Sequence, residues 1–289
     1  MNNIFMIIND EPVNAQDARI SAWDRAIYFG DGVYEVIQAY NGKLWAFDAH
    51  FARFKRSLHE IGIDNIDINQ IKEKVLAGFE KANQPNALLY FHITRGIQPR
   101  LHTPADELKP QFLMFVKPAP DNSSIAKNGI KAISYPDIRW KRCDIKSLNL
   151  LANVMACNEA KIKNCDDAVF VSDNIVIEGT SSTFFAVIDS KLITRPLNHQ
   201  VLPGITRGAI LAIAKRLNIE FFEGETPLLQ AYEAQELFLC GTGSEIRAIV
   251  ELDGRQIGNG TPGKITRKIT DYFINYTRTG GSFEELIKG

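Results

Sequence analysis

No stretch of the chain offers roughly 18 consecutive apolar residues, and its first residues, MNNIFMIINDEP, lack a basic segment leading into a long apolar one. Neither a membrane span nor a secretory leader is therefore expected, and the setting this implies is the cytoplasm. Cysteine is scarce. Cys143, Cys157, Cys165 and Cys240 show no CxxC spacing and have no histidines at metal-ligand intervals, so neither a disulfide framework nor a metal site is expected. An excess of one charge is missing too: 33 Lys and Arg face 34 Asp and Glu, which leaves no net field to recruit nucleic acid or an anionic membrane. There is no GxGxxG after a first strand and no GxxxxGK[ST], so the nucleotide-binding folds lose their main sequence support. Internal repeats, low-complexity tracts and long charge runs are also absent.

What is present is an ordinary globular composition, 45% apolar and 23% charged, in 289 residues, enough for two modest domains and a sizeable core. Small-molecule chemistry is the function class left standing. A strand at Ile4 to Ile8 closes on the turn Asn9-Asp10-Glu11-Pro12. Val33 to Tyr40 and Lys43 to Phe47 read as strands around Asn41-Gly42, the pair that most readily supplies the positive φ angles of a tight turn. Asp48 offers an N-cap to a helix with Phe51, Phe54, Leu58 and Ile61 on one face and Gly62 at its end. Ile71, Val75, Leu76 and Phe79 mark a second helix, and Leu88 to Thr94 and Phe112 to Lys117 are further strands. The breaker cluster Pro118 to Ser124 reads as a linker. It separates an α/β domain at 1–120 from a second domain at 121–289, in which strands at Ile130 to Tyr135, Ala168 to Ser172, Thr183 to Ile188 and Glu236 to Cys240 alternate with helices. The clearest of these helices are Leu148 to Lys161 and Thr206 to Leu217. The fold class is thus α/β in the broad sense (α+β), in two domains.

Four segments carry chemistry. Arg142-Cys143-Asp144-Ile145-Lys146-Ser147 places a lysine where a strand or loop hands over to a helix; such an amine is either an ordinary solvated charge or, if desolvated, a nucleophile towards carbonyls. Ile177-Glu178-Gly179-Thr180-Ser181-Ser182 ends a strand on a carboxylate. That carboxylate is either a cap or loop residue, or the partner that keeps a pyridine nitrogen protonated as an electron sink. Pro203-Gly204-Ile205-Thr206-Arg207-Gly208 opens a helix whose free N–H groups suit an anion, with Gly204 permitting close approach and Thr206 adding a hydroxyl. Gly241-Thr242-Gly243-Ser244 can form a second nest of the same kind. Each of these last two is either a plain helix start or turn, or half of a phosphate seat.

Taken in order, YFGDGVYEV at Tyr28 to Val36, HFARF at His50 to Phe54, TRG at Thr94 to Gly96, PRLH at Pro99 to His102, RCDIKSLNLL at Arg142 to Leu151, IEGTSSTFF at Ile177 to Phe185 and PGITRG at Pro203 to Gly208 span nearly the whole chain. The set resembles the fold type IV pyridoxal-phosphate enzymes, the group of branched-chain and D-amino-acid aminotransferases and aminodeoxychorismate lyase. RCDIKSLNLL and the Arg-x-His at Arg100 and His102 are most similar to the D-amino-acid aminotransferases.

The resemblance implies a smaller N-terminal sheet-plus-helices domain and a larger C-terminal pseudo-barrel domain that carries the lysine. It implies pyridoxal 5′-phosphate as cofactor, with Lys146 as Schiff-base lysine and proton shuttle and Glu178 on the ring nitrogen. The phosphate would be held by Arg53, Ile205, Thr206 and Thr242, and the substrate carboxylate by Tyr34, Arg100 and His102. The expected activity is amino transfer between a D-amino acid such as D-alanine and a 2-oxo acid, in a homodimer with shared active sites. Two relatives on the same scaffold are the alternatives. The lyase usually carries threonines after the GDG segment, where this chain has Val33-Tyr34-Glu35-Val36, and the branched-chain L-enzymes are not expected to use an Arg-x-His clamp. Two departures stand out: Asp167 occupies a position where a longer glutamate is expected, and the loop Cys240 to Ser244 is richer in glycine than in the D-specific members.

Overall fold

Period-two alternation builds the first sheet. In Gly32–Tyr40 the residues Val33, Glu35, Ile37 and Ala39 are fully buried, whereas Tyr34 and Val36 on the opposite face are half-buried. The computed structural model describes residues 3–288 and divides the chain into two units, one running to Pro120 and including Ile145–Leu150, the other formed by Asp121–Asp144 and the residues from Leu151 onward.

The first unit has strands β1 (Phe5–Ile8), β2 (Glu11–Asn14), β3 (Gly32–Tyr40), β4 (Lys43–Leu44), β5 (Ala87–Thr94) and β6 (Gln111–Pro118), and helices α1 (Arg25–Phe29), α2 (Phe47–Glu60) and α3 (Ile68–Ala82). The strands form one antiparallel sheet in the order β2-β1-β6-β5-β3-β4. Phe51, Phe54 and Leu58 of α2 and Ile71 and Val75 of α3 bury against Ile37, Leu89, Phe91 and Met114 of the sheet. The hairpin turn uses left-handed Asn41 (φ 50°) and Gly42 (φ 81°), as expected of that pair. Helix α2 begins differently from expectation. Its N-cap is Ala46, left-handed at φ 56° and without a side-chain cap, so the strand expected to reach Phe47 ends at Leu44. Asp48 lies inside the first turn, where it complements the helix dipole and accepts from Lys72 Nζ at 2.7 Å.

The second unit holds β7 (Ile130–Pro136), β8 (Asp167–Ser172), β9 (Ile175–Gly179), β10 (Thr183–Ile188) and β11 (Lys191–Thr194), then β12 (Phe221–Glu223), β13 (Thr226–Pro227), β14 (Glu236–Gly241), β15 (Glu245–Leu252) and β16 (Arg255–Gln256). Its helices are α4 (Ser123–Asn128), α5 (Leu151–Ile162), α6 (Ile205–Arg216), α7 (Leu228–Glu233), α8 (Lys264–Arg278) and α9 (Phe283–Lys288). Its sheet is mixed, in the order β12-β11-β10-β14-β15-β7-β8-β9-β13 with β16 on β15. The pairs β15 with β7 and β7 with β8 are parallel. Of these strands β8 is buried on both faces over Asp167-Ala168-Val169-Phe170, an almost continuous apolar run, as is common where a strand has a parallel neighbour.

The lysine segment corrects the sequence reading, which put it in the second domain at the head of a helix. Helix α5 starts only at Leu151, and Ile145–Leu150 groups with the first unit. The cause is backbone pairing: β3 is bonded to β5 along one edge, and near Gly32 its other edge takes up the lysine segment. Tyr34 N donates to Lys146 O at 2.9 Å, Leu148 N donates to Gly32 O at 3.0 Å, and Val33 bridges Ser147. Ile145 is sealed into the first unit's core.

Candidate active site

In the first unit Lys146 is fixed at both ends of its backbone, with Lys146 N donating to Ser57 Oγ of α2 at 3.2 Å and its carbonyl taken by Tyr34. Its Nζ lies 4.3 Å from the centroid of the Tyr34 ring, over the face of the ring, where an ammonium is attracted by the π cloud and an amine keeps an apolar wall. Tyr34 in turn stacks on Tyr90 at 5.5 Å, and Tyr90 OH meets His92 Nδ1 at 3.1 Å. Burial pushes the His92 imidazole down to about 4.

Behind this wall, on the inward row of β3, lies a fully buried carboxylate that the sequence reading passed over. Glu35 accepts from Arg53 Nε at 2.7 Å and Nη2 at 2.9 Å, and from His50 Nδ1 at 2.8 Å. Burial alone would raise the Glu35 carboxyl, but the charge of Arg53 and the hydrogen bonds from His50 and Arg53 outweigh it and hold the carboxyl far below the carboxylate range. His50 moves against its ion pair: burial outweighs Glu35, and the imidazole sits below its ordinary value. The pair is therefore a neutral imidazole donating Nδ1–H to a carboxylate, and the buried Nε2 is left without a partner. Arg53, expected on the phosphate, occupies the buried stripe of α2 with His50, Phe54 and Ser57. With Glu35 ionised and His50 neutral the trio carries no net charge. The signal was present in sequence: Glu35 falls on the inward phase of an apolar strand, where a lone carboxylate demands a cation.

Arg100 and His102 are exposed on the loop between β5 and β6, and both pack on Phe29. The Arg100 guanidinium lies 5.5 Å and the His102 ring 5.2 Å from the centroid of that ring.

In the second unit Glu178 is the penultimate residue of β9 and is buried. It accepts from Arg139 Nη1 and from Leu202 N, the latter at 3.2 Å. Burial raises its carboxyl, and Arg139 and the Leu202 amide only partly offset this. Arg139 is shared, since it also pairs with Asp137 at 2.7 Å, and it stacks 4.2 Å over Phe170. Nothing in the sequence marked Arg139, which is separated from Glu178 by 39 residues. Asp167, flagged as shorter than expected, is buried and accepts from Thr180 Oγ1 at 2.6 Å and closely from Arg247, which ties the 178–182 turn to β8 and β15.

The Gly204 and Gly241 segments meet at one end of the β10–β14 pair, where Thr183 stands opposite Cys240. No side chain caps the first turn of α6, at whose N-cap Gly204 a β-carbon would come within 2.7 Å of Thr183 Oγ1. A β-carbon on Gly241 would lie 3.3 Å from Ser181 O, so the Gly241–Ser244 turn sits beside the Ser181–Ser182 turn, in which Ser182 Oγ is buried without a partner. Ile205 and Thr206 thus stand at a helix start that no side chain caps, and Thr242 on the turn beside the unpartnered Ser182 hydroxyl, an arrangement suited to an oxyanion. Among the described residues no cluster of histidine, cysteine and carboxylate groups could hold a metal ion, and no helix is long and apolar enough to cross a membrane.

Residues 32–252 match the family described as Amino-transferase class IV. The D-alanine aminotransferase of Staphylococcus epidermidis is 40% identical over 281 residues, covering 96% of this chain and 99% of that protein. The branched-chain amino acid aminotransferase of Escherichia coli has the same fold, with TM-score 0.88 over 96% of each chain at 24% identity. A hypothetical aminotransferase from Mycobacterium tuberculosis, in the form with alpha-ketoglutarate and PMP bound, has TM-score 0.82 and 20% identity, covering 93% of this chain and 98% of that one. The ten-stranded mixed sheet corresponds to the implied pseudo-barrel of the larger domain.

Proposed function

The chain belongs to the class IV amino-transferase family, and we propose that it passes the amino group of a D-amino acid, D-alanine foremost, to a 2-oxo acid in the cytoplasm. Its cofactor is pyridoxal 5′-phosphate, and the donor sets described above fit that group: an amine against an aromatic wall, a buried carboxylate short of positive charge, and an uncapped helix N-terminus beside an orphaned hydroxyl. When bound, the cofactor supplies the electron sink that chemistry at the α-carbon needs. Lys146 would hold it covalently and carry the α-proton in both half-reactions. Glu178 would keep the ring nitrogen protonated, and Arg53, Ile205, Thr206 and Thr242 would bind the phosphate.

The observation that most supports this reading is a convergence in the first unit. Strand β3 carries Tyr34 and receives the Lys146 segment, while β5, paired with it from Gly32 opposite Thr94, runs straight into the loop of Arg100 and His102. Tyr34, Arg100 and His102 would hold the substrate carboxylate, with Arg100 offering a planar fork that a carboxylate can meet with two parallel bonds. Which face of the α-carbon meets Lys146 then follows from which side the carboxylate is held. Incubation with pyridoxal phosphate, 2-oxoglutarate or pyruvate, and separate panels of D- and L-amino acids, read by chiral chromatography, tests the assignment. Transfer confined to L-branched substrates would overturn it, as would pyruvate release from aminodeoxychorismate without amino transfer.

The enzyme would act as a homodimer with shared sites, since Arg100 and His102 are exposed on the single chain. Co-refolding Lys146→Ala with Arg100→Ala should restore roughly a quarter of wild-type activity through heterodimers. Heterodimers without any recovery would place Arg100 in its own subunit's site.

A further inference from the structure

A loop as long as residues 95–110, exposed over most of its length, would ordinarily sample many conformations. Here it is tied down at its start and at its centre. Arg25 N donates to Gly96 O at 3.0 Å and Gln98 N to Trp23 O at 3.1 Å, which docks the beginning of the loop on the entry to α1. The centre is held by two side chains, of which Gln98 donates to Leu101 O at 3.3 Å and Thr103 O at 3.2 Å and accepts from Ala105 N at 2.9 Å from within the exposed loop, while the buried one ties it to the rest of the unit. Arg25, only 4% exposed, uses three donors on three acceptors: Nε on Asp31 Oδ2 at 2.7 Å, Nη1 on Leu101 O at 2.6 Å and Nη2 on His102 O at 3.0 Å. Those two carbonyls belong to the peptide planes on either side of the His102 α-carbon, so holding both fixes the backbone from which His102 projects.

The anchor is itself anchored. Asp31 also accepts from Arg95 Nε at 2.9 Å, and Arg95 bonds the carbonyls of Ile61 at 2.6 Å and Gly62 at 2.9 Å just past α2. Burial would raise the Asp31 carboxyl, but its bonds to Arg95 and Arg25 and their charges hold it below the usual range, so it stays ionised at neutral pH. The Arg25 guanidinium lies 4.9 Å from the centroid of the Phe29 ring, the same ring that Arg100 and His102 pack against. Arg100 and His102, two residues apart, therefore share one platform, while Leu101 between them is 62% exposed.

We infer that Arg25, with Phe29, is the positioning residue of the substrate-carboxylate clamp: it sets the backbone and the shared ring from which Arg100 and His102 converge on one carboxylate. This rests on the assignment of Arg100 and His102 made above. Arginine is required because its rigid fork reaches two successive carbonyls and a carboxylate at once, whereas a lysine ammonium is a single point charge. Arg25 does not touch the substrate; it acts through the loop.

The test is a mutant cycle on the cofactor-loaded enzyme, with D-alanine as donor and acetate as a competing carboxylate. Arg25→Lys should raise the KM for D-alanine and the inhibition constant of acetate about 10-fold while kcat changes less than about 3-fold, the pattern of lost binding common to ground and transition states. Placed on an Arg100→Ala/His102→Ala background, the same change should add less than about 2-fold, because the groups it positions are gone. The melting temperature, recorded in parallel, checks the fold. Should Arg25→Lys not fold, Phe29→Leu, which removes the ring but leaves the carbonyl bonds, should raise KM about 3-fold and lose that effect on the same background. An unchanged KM, or an equal penalty with and without the clamp residues, would overturn the inference while leaving Arg100 and His102 in place. If Arg100→Ala/His102→Ala itself leaves the D-alanine KM unchanged, the clamp assignment fails, and the role of Arg25 fails with it.

Discussion

Two buried carboxylates, one in each unit, move in opposite directions. Glu35 in the first unit is surrounded by Arg53 and His50 in three bonds between 2.7 and 2.9 Å, and its carboxyl is held far down. Glu178 in the second has a guanidinium shared with Asp137 and one backbone amide at 3.2 Å, and its carboxyl is pushed up. Burial penalises both charges; compensation decides the sign. Glu35 is finished within its own unit and orients α2 and Arg53. Glu178 is undercompensated, and a protonated ring nitrogen is the kind of group that would complete it. The contrast separates a carboxylate whose charge is satisfied by its own unit from one proposed to await a partner.

The largest effect should come from Lys146, which neither carboxylate can replace. Lys146→Ala is expected to lower turnover at least about 10³-fold with the fold intact, since nucleophile and proton carrier are one side chain. Circular dichroism and a D-alanine assay free of added amines check this, and an active variant would break the assignment. For the first carboxylate, Glu35→Gln should cost about 3 to 5 kcal/mol of stability, because it strands a buried guanidinium. Urea unfolding at pH 7 measures it, and a loss below about 1 kcal/mol would mean that Arg53 finds other partners.

For the second carboxylate, Glu178→Gln should lower kcat about 10²-fold while changing cofactor affinity less than about 3-fold, since an amide can still bond the ring nitrogen without holding it protonated. Equal losses in a spectral titration and in the assay would make Glu178 structural, like Glu35. The smallest effect concerns acid. A histidine whose folded pKa lies below its unfolded value binds its proton more readily when unfolded, so stability is lost as pH falls from about 6.5 towards the folded value. His92, held at about 4, should therefore account for roughly 2 kcal/mol of lost stability between pH 7 and pH 5, and His50 is shifted the same way. Denaturant melts of His92→Phe at the two pH values would show this loss reduced; an unchanged acid sensitivity would assign it elsewhere.

Much of the fold was legible because its signals are local. The alternation over Val33–Ile37, the Asn41-Gly42 turn and the apolar stripe of α2 each depend on neighbours a few residues apart, and the structure keeps all three. The start of α2 was not legible, because Ala46 takes a left-handed conformation that no side chain announces. Nor was the unit to which Lys146 belongs: Leu148 to Leu150 would propagate a helix, but the unpaired edge of β3 draws Ser147 and Leu148 into backbone bonds instead.

By itself the sequence determined the elements, the ordered motifs and the chemical types on offer: a lysine before a helix, a carboxylate at a strand end, a glycine-led helix start. Tertiary structure decided which charges are compensated and by what. Glu35 meets Arg53 18 residues away, Glu178 meets Arg139 39 residues away, and Arg25 grips carbonyls 76 and 77 residues away. Propensity and periodicity act between neighbours along the chain, whereas the energy of a buried charge depends on distances in space, and those distances exist only once the strands have paired.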